Sequence, residues 1–557
     1  MRVVLALALA ISSAAWAAVH AQVTSQRLLD ARKEPHNWLT YSGDYASHRH
    51  SPLTQITLQN VKDLELKWVY QGQAIGAWQA TPLVVDGIMY FTQRPNDVVA
   101  VDAVTGRVFW TYRHTPRDQR VCCGANNRGL AIAGHTLFLA TLDARLIAID
   151  ARNGRPLWNI AVADPKLAYS MTLAPLVVKD KVIIGTGGGD FGIRGFIAAY
   201  DVATGKEVWR FWTIPGPGEP GHETWEPCPP NSPTFCDPEA WKHGGGAVWV
   251  TGSYDPELNL TYWGVGNPGP DWNPSQRPGD NLYTESVVAL DADTGALKWH
   301  FQFTPNDPYD YDSTQVPVLV DMDWDGRPSK LMLWANRNGF FYVLDRVTGR
   351  FLSGQPFVKV NWASLDANGR PIPTPQPPGQ PTWPGVMGGT NWYSPSYSPR
   401  TGLLYVAAWE DNASIIRSEP AKYQEGRAFG GGGHTTYVPH SGAPTLQFPA
   451  RGPINTWTDE VGRGTVMAID PRTGKPKWTF KMYDVSYGGM LTTASDLLFT
   501  GGREGYFYAL DARSGAVRWR ATVGGAIASG PITYQVDGRQ YVAVIAGHSI
   551  FVFGLRS

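Results

Sequence analysis

The sequence has few cysteines, no net charge and no long apolar run beyond its first residues. Its 557 residues include 4 Cys, 48 Lys and Arg, and 48 Asp and Glu, so the formal net charge is zero. Binding of nucleic acid requires an excess of basic side chains, and this balance argues against such a partner. No stretch after the N-terminus reaches the length that a membrane-spanning helix needs. We therefore expect neither a nucleic-acid partner nor a membrane span.

Several cofactor and catalytic patterns are also absent. The haem-attachment spacing Cys-x-x-Cys-His does not occur, so we expect no fused cytochrome domain. The 12 His residues show no zinc-ligand spacing, and there is no Gly-x-Ser-x-Gly hydrolase pattern. By contrast, the chain contains 60 Gly, 43 Pro and 23 Trp. This composition indicates many turns and large aromatic plugs rather than long helices.

The first 21 residues read as a secretory signal peptide. Arg2 supplies a positive charge, residues 3–11 are apolar, and Val19-His20-Ala21 places small residues where a signal peptidase cleaves. The sequence therefore predicts a mature protein from residue 22 to residue 557, outside the cytosol, and its compartment permits disulfides.

The four cysteines form two pairs that differ in their spacing. Cys228 and Cys236 flank a Pro-rich loop, which a disulfide between them could close. Cys122 and Cys123 are adjacent, and a bridge between neighbours forces a small, distorted ring. From the residues alone, two reduced or separately paired thiols are the simpler interpretation of this second pair.

One pattern, Ala-x-Asp-x-x-Thr-Gly-x-x-x-Trp, recurs along the chain. It begins at residues 100, 148, 199, 289, 468 and 509, with Asn153 and Ser514 in the Thr place, and a copy at 343–353 has lost its tryptophan. Each copy follows an apolar or alternating run, which predicts a strand–turn–strand unit. The tryptophan ring can plug the space between neighbouring repeats while its N–H reaches a backbone carbonyl.

The spacing of these copies predicts an all-β fold, an eight-bladed β-propeller in a single domain. Intervals of roughly 40–55 residues match a four-stranded blade, and the longer intervals leave room for the remaining blades. The interval before residue 289 also holds a Pro-rich insertion at about 215–243. We expect residues 38–68 to supply the strand that closes the ring against residues 541–553. Function is then expected in the funnel on the ring axis.

A pair of acids, Asp310 and Asp312, is the strongest local hint of chemistry. If this run is extended, both carboxylates point to one side with Cα atoms roughly 6.5 Å apart. Two like charges this close repel each other unless a cation lies between them, and a hard cation with oxygen ligands would meet that need. Taken alone, a polar turn with two solvated carboxylates is the simpler interpretation.

The tryptophan repeat, Cys122-Cys123 and Asp310-Tyr311-Asp312 together resemble the quinoprotein alcohol dehydrogenases, which are methanol and ethanol dehydrogenases that use pyrroloquinoline quinone (PQQ). Similar runs occur at residues 185–195 (GTGGGDFGIRG), 264–273 (GVGNPGPDWN), 336–346 (NRNGFFYVLDR) and 388–392 (GGTNW). The likeness covers nearly the whole mature chain. The repeat alone is weakly diagnostic, because propellers without enzyme activity share it.

The resemblance implies a PQQ site on the ring axis. The quinone would lie between a vicinal disulfide Cys122–Cys123 and the ring of Trp249. Cationic and polar donors would meet its carboxylates and carbonyl, since an arginine fork binds such groups in fixed geometry. The implied cofactor-binding residues are Gln79, Cys122, Cys123, Arg128, Thr172, Gly188, Gly189, Trp249, Arg337 and Asn391.

The same resemblance implies a metal ion bound by Asp190, Asn267, Asp310 and Asp312. The ion would act as a Lewis acid on the quinone carbonyl. Asp310 would take the alcohol's hydroxyl proton as hydride passes to the quinone, and Arg337 would stabilise charge on the quinone oxygen. Lanthanide-using members carry an acid at the position of Asp312, whereas calcium-using members lack it. The sequence therefore favours a lanthanide(III) ion, with Ca²⁺ as the rival.

Four positions depart from the family pattern and put the implied roles there in doubt. Asp190 and Gln79 each stand where Glu is usual, Gly187 where Ser is common, and Tyr487 near a usual Trp. These changes predict a divergent member with an altered pocket.

We thus expect a periplasmic PQQ dehydrogenase that oxidises an alcohol and passes electrons to a separate, soluble cytochrome c. A homodimer is compatible with the resemblance, although the sequence does not give the oligomeric state. Two alternatives stay open. One is a scaffold propeller of the outer-membrane assembly type without a cofactor. The other is a PQQ dehydrogenase for an aldehyde, a sugar or a polymer alcohol.

Overall fold

A computed structural model describes residues 22–118, 120–225, 228, 236–437 and 463–556. The predicted signal peptide, residues 1–21, lies outside the described residues. Helices are short in the part described: an α-helix at Ser25–Leu29 and 3-10 turns at Ala31–Lys33, Val61–Asp63, Pro165–Leu167, Gly189–Phe191, His222–Thr224, Ala240–His243 and Pro274–Gln276. None of the described helices is long and apolar enough to cross a membrane. The predicted all-β class is confirmed.

Eight four-stranded antiparallel sheets, here called blades 1–8, form the propeller, as predicted. Blades 1–4 are Leu83–Val85, Ile88–Gln93, Asp97–Asp102, Val108–Tyr112; Ala131–Ala133, Thr136–Ala140, Arg145–Asp150, Pro156–Ala161; Leu176–Val178, Lys181–Gly185, Phe196–Asp201, Glu207–Trp212; and Ser253–Asp255, Leu260–Gly264, Ser286–Asp291, Leu297–Gln302. Blades 5–7 are Val318–Trp324, Arg327–Ala335, Phe340–Asp345, Phe351–Pro356; Ser396–Ser398, Leu403–Glu410, Arg463–Asp470, Lys475–Lys481; and Leu491–Thr493, Leu497–Gly501, Tyr506–Asp511, Val517–Thr522. Blade 8 is Ile532–Val536, Arg539–Ala546, Ser549–Leu555 and Leu64–Gln71.

Blade 8 closes the ring with strands from both ends of the chain. Leu64–Gln71 pairs antiparallel with Ser549–Leu555, which confirms the predicted closure. His50–Ser51 adds a short parallel strand to blade 7. A ring closed in this way leaves only short strand edges, which the neighbouring blades protect from pairing with another chain.

The core lies between neighbouring blades. The three inner strands of a blade are almost wholly buried, whereas residues of the outermost strand are half-buried or exposed, as in Val108–Tyr112. Inner strands read as continuous apolar runs because a sheet covers each of their faces.

The repeated tryptophans join one blade to the next. The indole N–H of Trp110 donates to Ala151 O at 3.1 Å, and its ring packs over Gly154, where a Cβ would lie 2.6 Å from the ring. Gly154 has φ of 74°, so the turn and the close approach both require glycine. The same hydrogen bond joins Trp68 to Ala103, Trp158 to Val202, Trp209 to Ala292, Trp299 to Arg346, and Trp478 to Ala512. The predicted plug is thus confirmed at five of the six repeat tryptophans, whereas the ring of Trp519 contacts Phe507 and Phe553. Trp68 extends the plug to a blade whose turn motif is missing.

Two small hairpins extend beyond the blades, Ala363–Leu365 with Pro371–Pro373 and Ala413–Ser418 with Gly432–Tyr437. The insertion between blades 3 and 4 carries two of the 3-10 turns, and Cys228 and Cys236 form a disulfide there.

Candidate active site

A cavity of about 1040 Å³ lies where the eight blades converge. Its lining comes from the segments that lead into or between the blades, so no single stretch of sequence forms it. All the residues predicted for cofactor, metal or catalysis line this cavity: Gln79, Cys122, Cys123, Arg128, Thr172, Gly188, Gly189, Asp190, Trp249, Asn267, Asp310, Asp312, Arg337 and Asn391. The fold therefore brings the predicted set together, while the role of each residue stays a prediction.

The acidic pair is built differently from the prediction. Asp310 and Asp312 have φ of 57° and 41°, so the run is not extended and that premise was wrong. Tyr311 explains the turn: its ring is fully buried, its hydroxyl donates to Pro384 O at 2.7 Å, and its N–H donates to Asp307 Oδ2 at 2.9 Å. With the tyrosine anchored behind, both carboxylates still reach the cavity.

Arg337 holds the two carboxylates together. Its NH1 group donates to Asp312 Oδ2 at 2.9 Å and its NH2 group to Asp310 Oδ2 at 3.3 Å, while Nε donates to Val386 O at 2.8 Å. Arg337 is only 5% exposed. The guanidinium fork suits this double contact, because its donors point in fixed, divergent directions.

The two acids differ in how many contacts they have. Asp312 Oδ1 accepts from the backbone N–H of Asn267 at 3.0 Å and from Trp249 Nε1 at 3.4 Å, in addition to the arginine at Oδ2. Gly266 makes this possible, since a Cβ there would lie 2.3 Å from Asp312 Oδ1. Asp310 Oδ1 accepts no hydrogen bond from the described residues. Asp310 is thus the more available proton acceptor.

Asp190 and Asn267 face the acidic pair from blades 3 and 4. Asp190 lies in the tight 3-10 turn Gly189–Phe191, and Gly188 before it has φ of 110°. Burial raises the pKa of Asp190 to about 6, and the charge of Asp312 adds to this shift. Burial also raises the pKa of Asp310 well above its usual value, while Arg337 opposes the shift. Oxygen atoms from three carboxylates and an amide are the ligands that a hard cation prefers, so this donor set fits the implied metal.

Arg128 also lines the cavity and lies between two indole rings. Its guanidinium carbon is 4.7 Å from the ring centre of Trp249 and 4.8 Å from that of Trp392, and NH1 donates to Thr172 Oγ1 at 2.8 Å. Burial lowers the pKa of Arg128 to about 10, which leaves it charged at neutral pH. Its buried Nε has no hydrogen-bond partner among the described residues, and neither has the buried Oε1 of Gln79. A buried guanidinium with one unpaired N–H, next to flat aromatic rings, fits a planar polyanion such as PQQ.

Cys122 and Cys123 form a vicinal disulfide at the exposed mouth of the cavity. Asn126 Nδ2 donates to Cys123 O at 2.9 Å and holds this turn. The structure thus contains the bridge that the family resemblance implied and that the residues alone made the less simple interpretation.

The departures from the family pattern have local explanations at two positions. Gly187 exchanges two backbone hydrogen bonds with Ser170, and a Cβ at Gly187 would lie 3.0 Å from Ser170 Oγ. Tyr487 packs its ring against Trp409 and Tyr393, with centroids 5.7 and 5.6 Å apart.

Asn391, one of the predicted cofactor-binding residues, contacts its own segment: its Nδ2 donates to Met387 O at 3.3 Å.

Sequence reasoning missed three residues of this region. Arg94 and Trp392 line the cavity, and Asp271 is buried behind Asn267. Trp392 follows the noted Asn391 directly, so the GGTNW run was the available signal. Asp271 lies in the similar run at residues 264–273, but nothing in that run pairs it with Asn267. Arg94 lies in no repeat or similar run, and only the folded chain places it near the site.

Glu504 offers a test of burial in blade 7, in the turn between Leu497–Gly501 and Tyr506–Asp511. Burial raises its pKa from 4.5 to about 7, and the charge of Asp484 adds to the shift. The pKa of Glu504 is higher in the folded state than in the unfolded state, so protonation of Glu504 favours folding. This stabilisation is fully present below pH 4.5 and is lost as pH rises through about 7. We expect Glu504→Gln to stabilise the protein by about 1–3 kcal/mol near pH 8 and to have little effect near pH 5. Urea unfolding at both pH values measures this, with the exposed Glu239→Gln as control. A difference that does not change with pH would contradict it.

Comparison with known proteins shows the family of this chain. The family model described as "Glucose/ethanol/alcohol dehydrogenase, beta-propeller domain" matches residues 38–359. The quinoprotein alcohol dehydrogenase PedH of Pseudomonas putida (strain KT2440) is 38% identical, over 95% of this chain and 89% of its own. The chain belongs to the quinoprotein alcohol dehydrogenases. A 1-butanol dehydrogenase (cytochrome c) of Thauera butanivorans is 39% identical, over 92% of this chain and 74% of its own.

A solved structure supports the same family. A europium-containing methanol dehydrogenase superposes with a TM-score of 0.84 at 33% identity, covering 95% of this chain and all of that one (100%). A model of the outer-membrane assembly factor BamB also matches, but only at residues 462–551, where the shared tryptophan repeat lies. Membership of the quinoprotein alcohol dehydrogenases makes the protein a PQQ-dependent enzyme rather than a scaffold propeller.

Proposed function

We propose that this quinoprotein alcohol dehydrogenase oxidises an alcohol in the periplasm and passes the electrons to a separate cytochrome c. The observation that carries the proposal is that one cavity holds two groups of opposite charge. The carboxylates around Arg337 suit a metal ion. The guanidinium of Arg128, whose Nε has no hydrogen-bond partner among the described residues, suits an anionic cofactor. The predicted secretory signal and the cytochrome c named for the 1-butanol relative support the compartment and the acceptor.

The residues divide the work as follows. Asp190, Asn267, Asp310 and Asp312 would hold the metal. The polar edge of the quinone would be bound by Arg128, Thr172, Asn391 and Gln79. Its two faces would contact Trp249 and the Cys122–Cys123 disulfide. Gly188 and Gly189 would leave room for the cofactor, because they have no side chains. PQQ, activated by the metal, supplies the hydride acceptor.

Asp310 takes the hydroxyl proton of the alcohol in this proposal. Its Oδ1 is open to the cavity, while Arg337 at Oδ2 keeps the carboxylate in place and favours its charged form. Trp249 Nε1 donates to Asp312 Oδ1 and so helps to keep the neighbouring carboxylate in place.

The test is reconstitution of the purified protein with PQQ and a metal ion, followed by dye-linked oxidation of primary alcohols, aldehydes, sugars and a polymer alcohol. Turnover with simple alcohols supports the proposal, and turnover confined to another substrate class would replace it with that class. Gel filtration of the same sample measures whether the protein is a monomer or a homodimer. No turnover with any substrate after PQQ and metal have bound would overturn the proposal.

We further propose that the metal is a lanthanide(III) ion. Asp312 places a third carboxylate at the site, and a trivalent ion gains more from it than a divalent ion does. Turnover at saturating La³⁺ or Ce³⁺ should exceed turnover at saturating Ca²⁺. Asp312→Ala should raise the lanthanide concentration needed for half-maximal turnover more than it raises the Ca²⁺ concentration. Steady-state rates measured over a titration of each ion decide this. A higher rate with Ca²⁺ in the unmodified protein would contradict the preference.

A further inference from the structure

Asp271 is a buried carboxylate that contacts the proposed metal site without lining the cavity. Its side chain is 5% exposed, and it lies four residues after Asn267 in the segment between two strands of blade 4. Arg277 NH2 holds the backbone of this turn by donating to Asp271 O at 3.1 Å. The carboxylate therefore has a fixed place directly behind Asn267.

The contact between the two side chains is a short hydrogen bond. Asn267 Nδ2 donates to Asp271 Oδ1 at 2.9 Å, and its second, longer donation goes to Pro268 O at 3.4 Å. The backbone N–H of Asn267 donates to Asp312 Oδ1. All N–H groups of Asn267 thus have acceptors, whereas its Oδ1 accepts no hydrogen bond from the described residues. That oxygen lies on the side of Gly189, where a Cβ would be 3.6 Å from it.

This contact determines which end of the amide faces the cavity. The two ends of an asparagine amide have nearly the same shape, but only the oxygen can ligate a cation. Asp271 Oδ1 accepts from Asn267 Nδ2, so this contact takes the NH₂ end of the amide and turns the oxygen towards the cavity. Without it, the NH₂ end could face a cation at little steric cost.

We propose that Asp271 is a positioning residue that orients the Asn267 amide oxygen for metal binding. The inference depends on the proposed function for the presence of a metal, but it assigns a role to Asp271 that the reaction itself does not require. Residues that orient a metal ligand from behind commonly change metal affinity by about 10–100-fold when they are removed.

The experiment measures Tb³⁺ bound to the purified full chain. Emission excited through tryptophan gives the affinity, and luminescence lifetimes in H₂O and D₂O give the number of coordinated waters. Asp271→Ala should weaken binding by about 10–100-fold and admit about one extra water in place of the amide oxygen. Asp271→Asn, whose amide oxygen can still accept from Asn267, should keep the parent's number of waters. Asp143→Ala is the control, because Asp143 is an equally buried acid outside the cavity lining.

A double-mutant cycle separates orientation from general loss of structure. Asn267→Ala should admit the same extra water, and Asp271→Ala should add none on that background. An unchanged water number in Asp271→Ala, or a further water in the double variant, would overturn the inference while leaving the proposed function intact. Strong Tb³⁺ binding with this pattern, but no alcohol oxidation after PQQ is added, would overturn the proposed function alone.

Discussion

Replacing Asp310 with asparagine is expected to lower kcat for alcohol oxidation by about 10²–10⁴-fold. Asparagine keeps the size of the side chain and an oxygen that can ligate a metal, but it cannot take a proton. The loss should therefore appear in kcat at saturating metal and substrate. Dye-linked steady-state kinetics of the reconstituted enzyme measure it, and Tb³⁺ titration confirms that metal is still bound.

Asp310, and not Asp312, is singled out by its contacts. The oxygens of Asp312 receive hydrogen bonds from Asn267, Trp249 and Arg337, whereas Asp310 receives one, at 3.3 Å, from Arg337. A carboxylate whose oxygens are already bonded is a weaker and less accessible base.

Asp312→Asn is therefore the matched control for Asp310→Asn. It removes the neighbouring charge from the same arginine, and its effect should fall on metal affinity. Excess metal should restore most of its kcat but none of the activity of Asp310→Asn. If kcat of Asp310→Asn stays within about tenfold of the unmodified enzyme, Asp310 is not the base.

The fold could be predicted from the sequence because its stabilising contacts repeat. All but one of the copies place a glycine at a positive φ beneath the tryptophan of the preceding blade, so one local pattern encodes both the turn and the interface. Trp68 escaped the pattern because blade 8 combines the two ends of the chain, so the usual turn does not precede its fourth strand. The loss of tryptophan at Ser353 left the blade itself intact, since Gly474 of the next repeat packs on Gln355 instead.

The site could be assembled only in part. Its lining comes from segments between residues 75 and 528, and no spacing rule relates such distant positions. The candidate residues came from the family resemblance, and the structure places them around one cavity. Local reasoning failed at Asp310–Asp312, where the burial of Tyr311 favours left-handed backbone over an extended run. It also gave no reason to pair Asp271 with Asn267, because that contact exists only when the turn is folded.

Arg337→Met is expected to destabilise the metal-free protein by about 3–5 kcal/mol. Arg337 donates to both acids and to Val386 O, and it is almost fully buried. Removing it leaves Asp310 and Asp312 close together with no cation between them, and buried like charges are costly. The free energy of unfolding from urea titration at neutral pH measures this loss.

Metal binding should restore much of that stability, because a cation at the acidic pair replaces the missing positive charge. Arg346→Met provides the matched control: Arg346 is equally buried and bonds Asp255 at 2.6 Å, but it does not line the cavity. Both variants should lose stability, and saturating La³⁺ or Ca²⁺ should rescue only Arg337→Met beyond the gain seen in the unmodified protein. Equal rescue of the two variants, or a metal-free Arg337→Met as stable as its parent, would contradict the view that Arg337 and a bound cation neutralise the same two carboxylates.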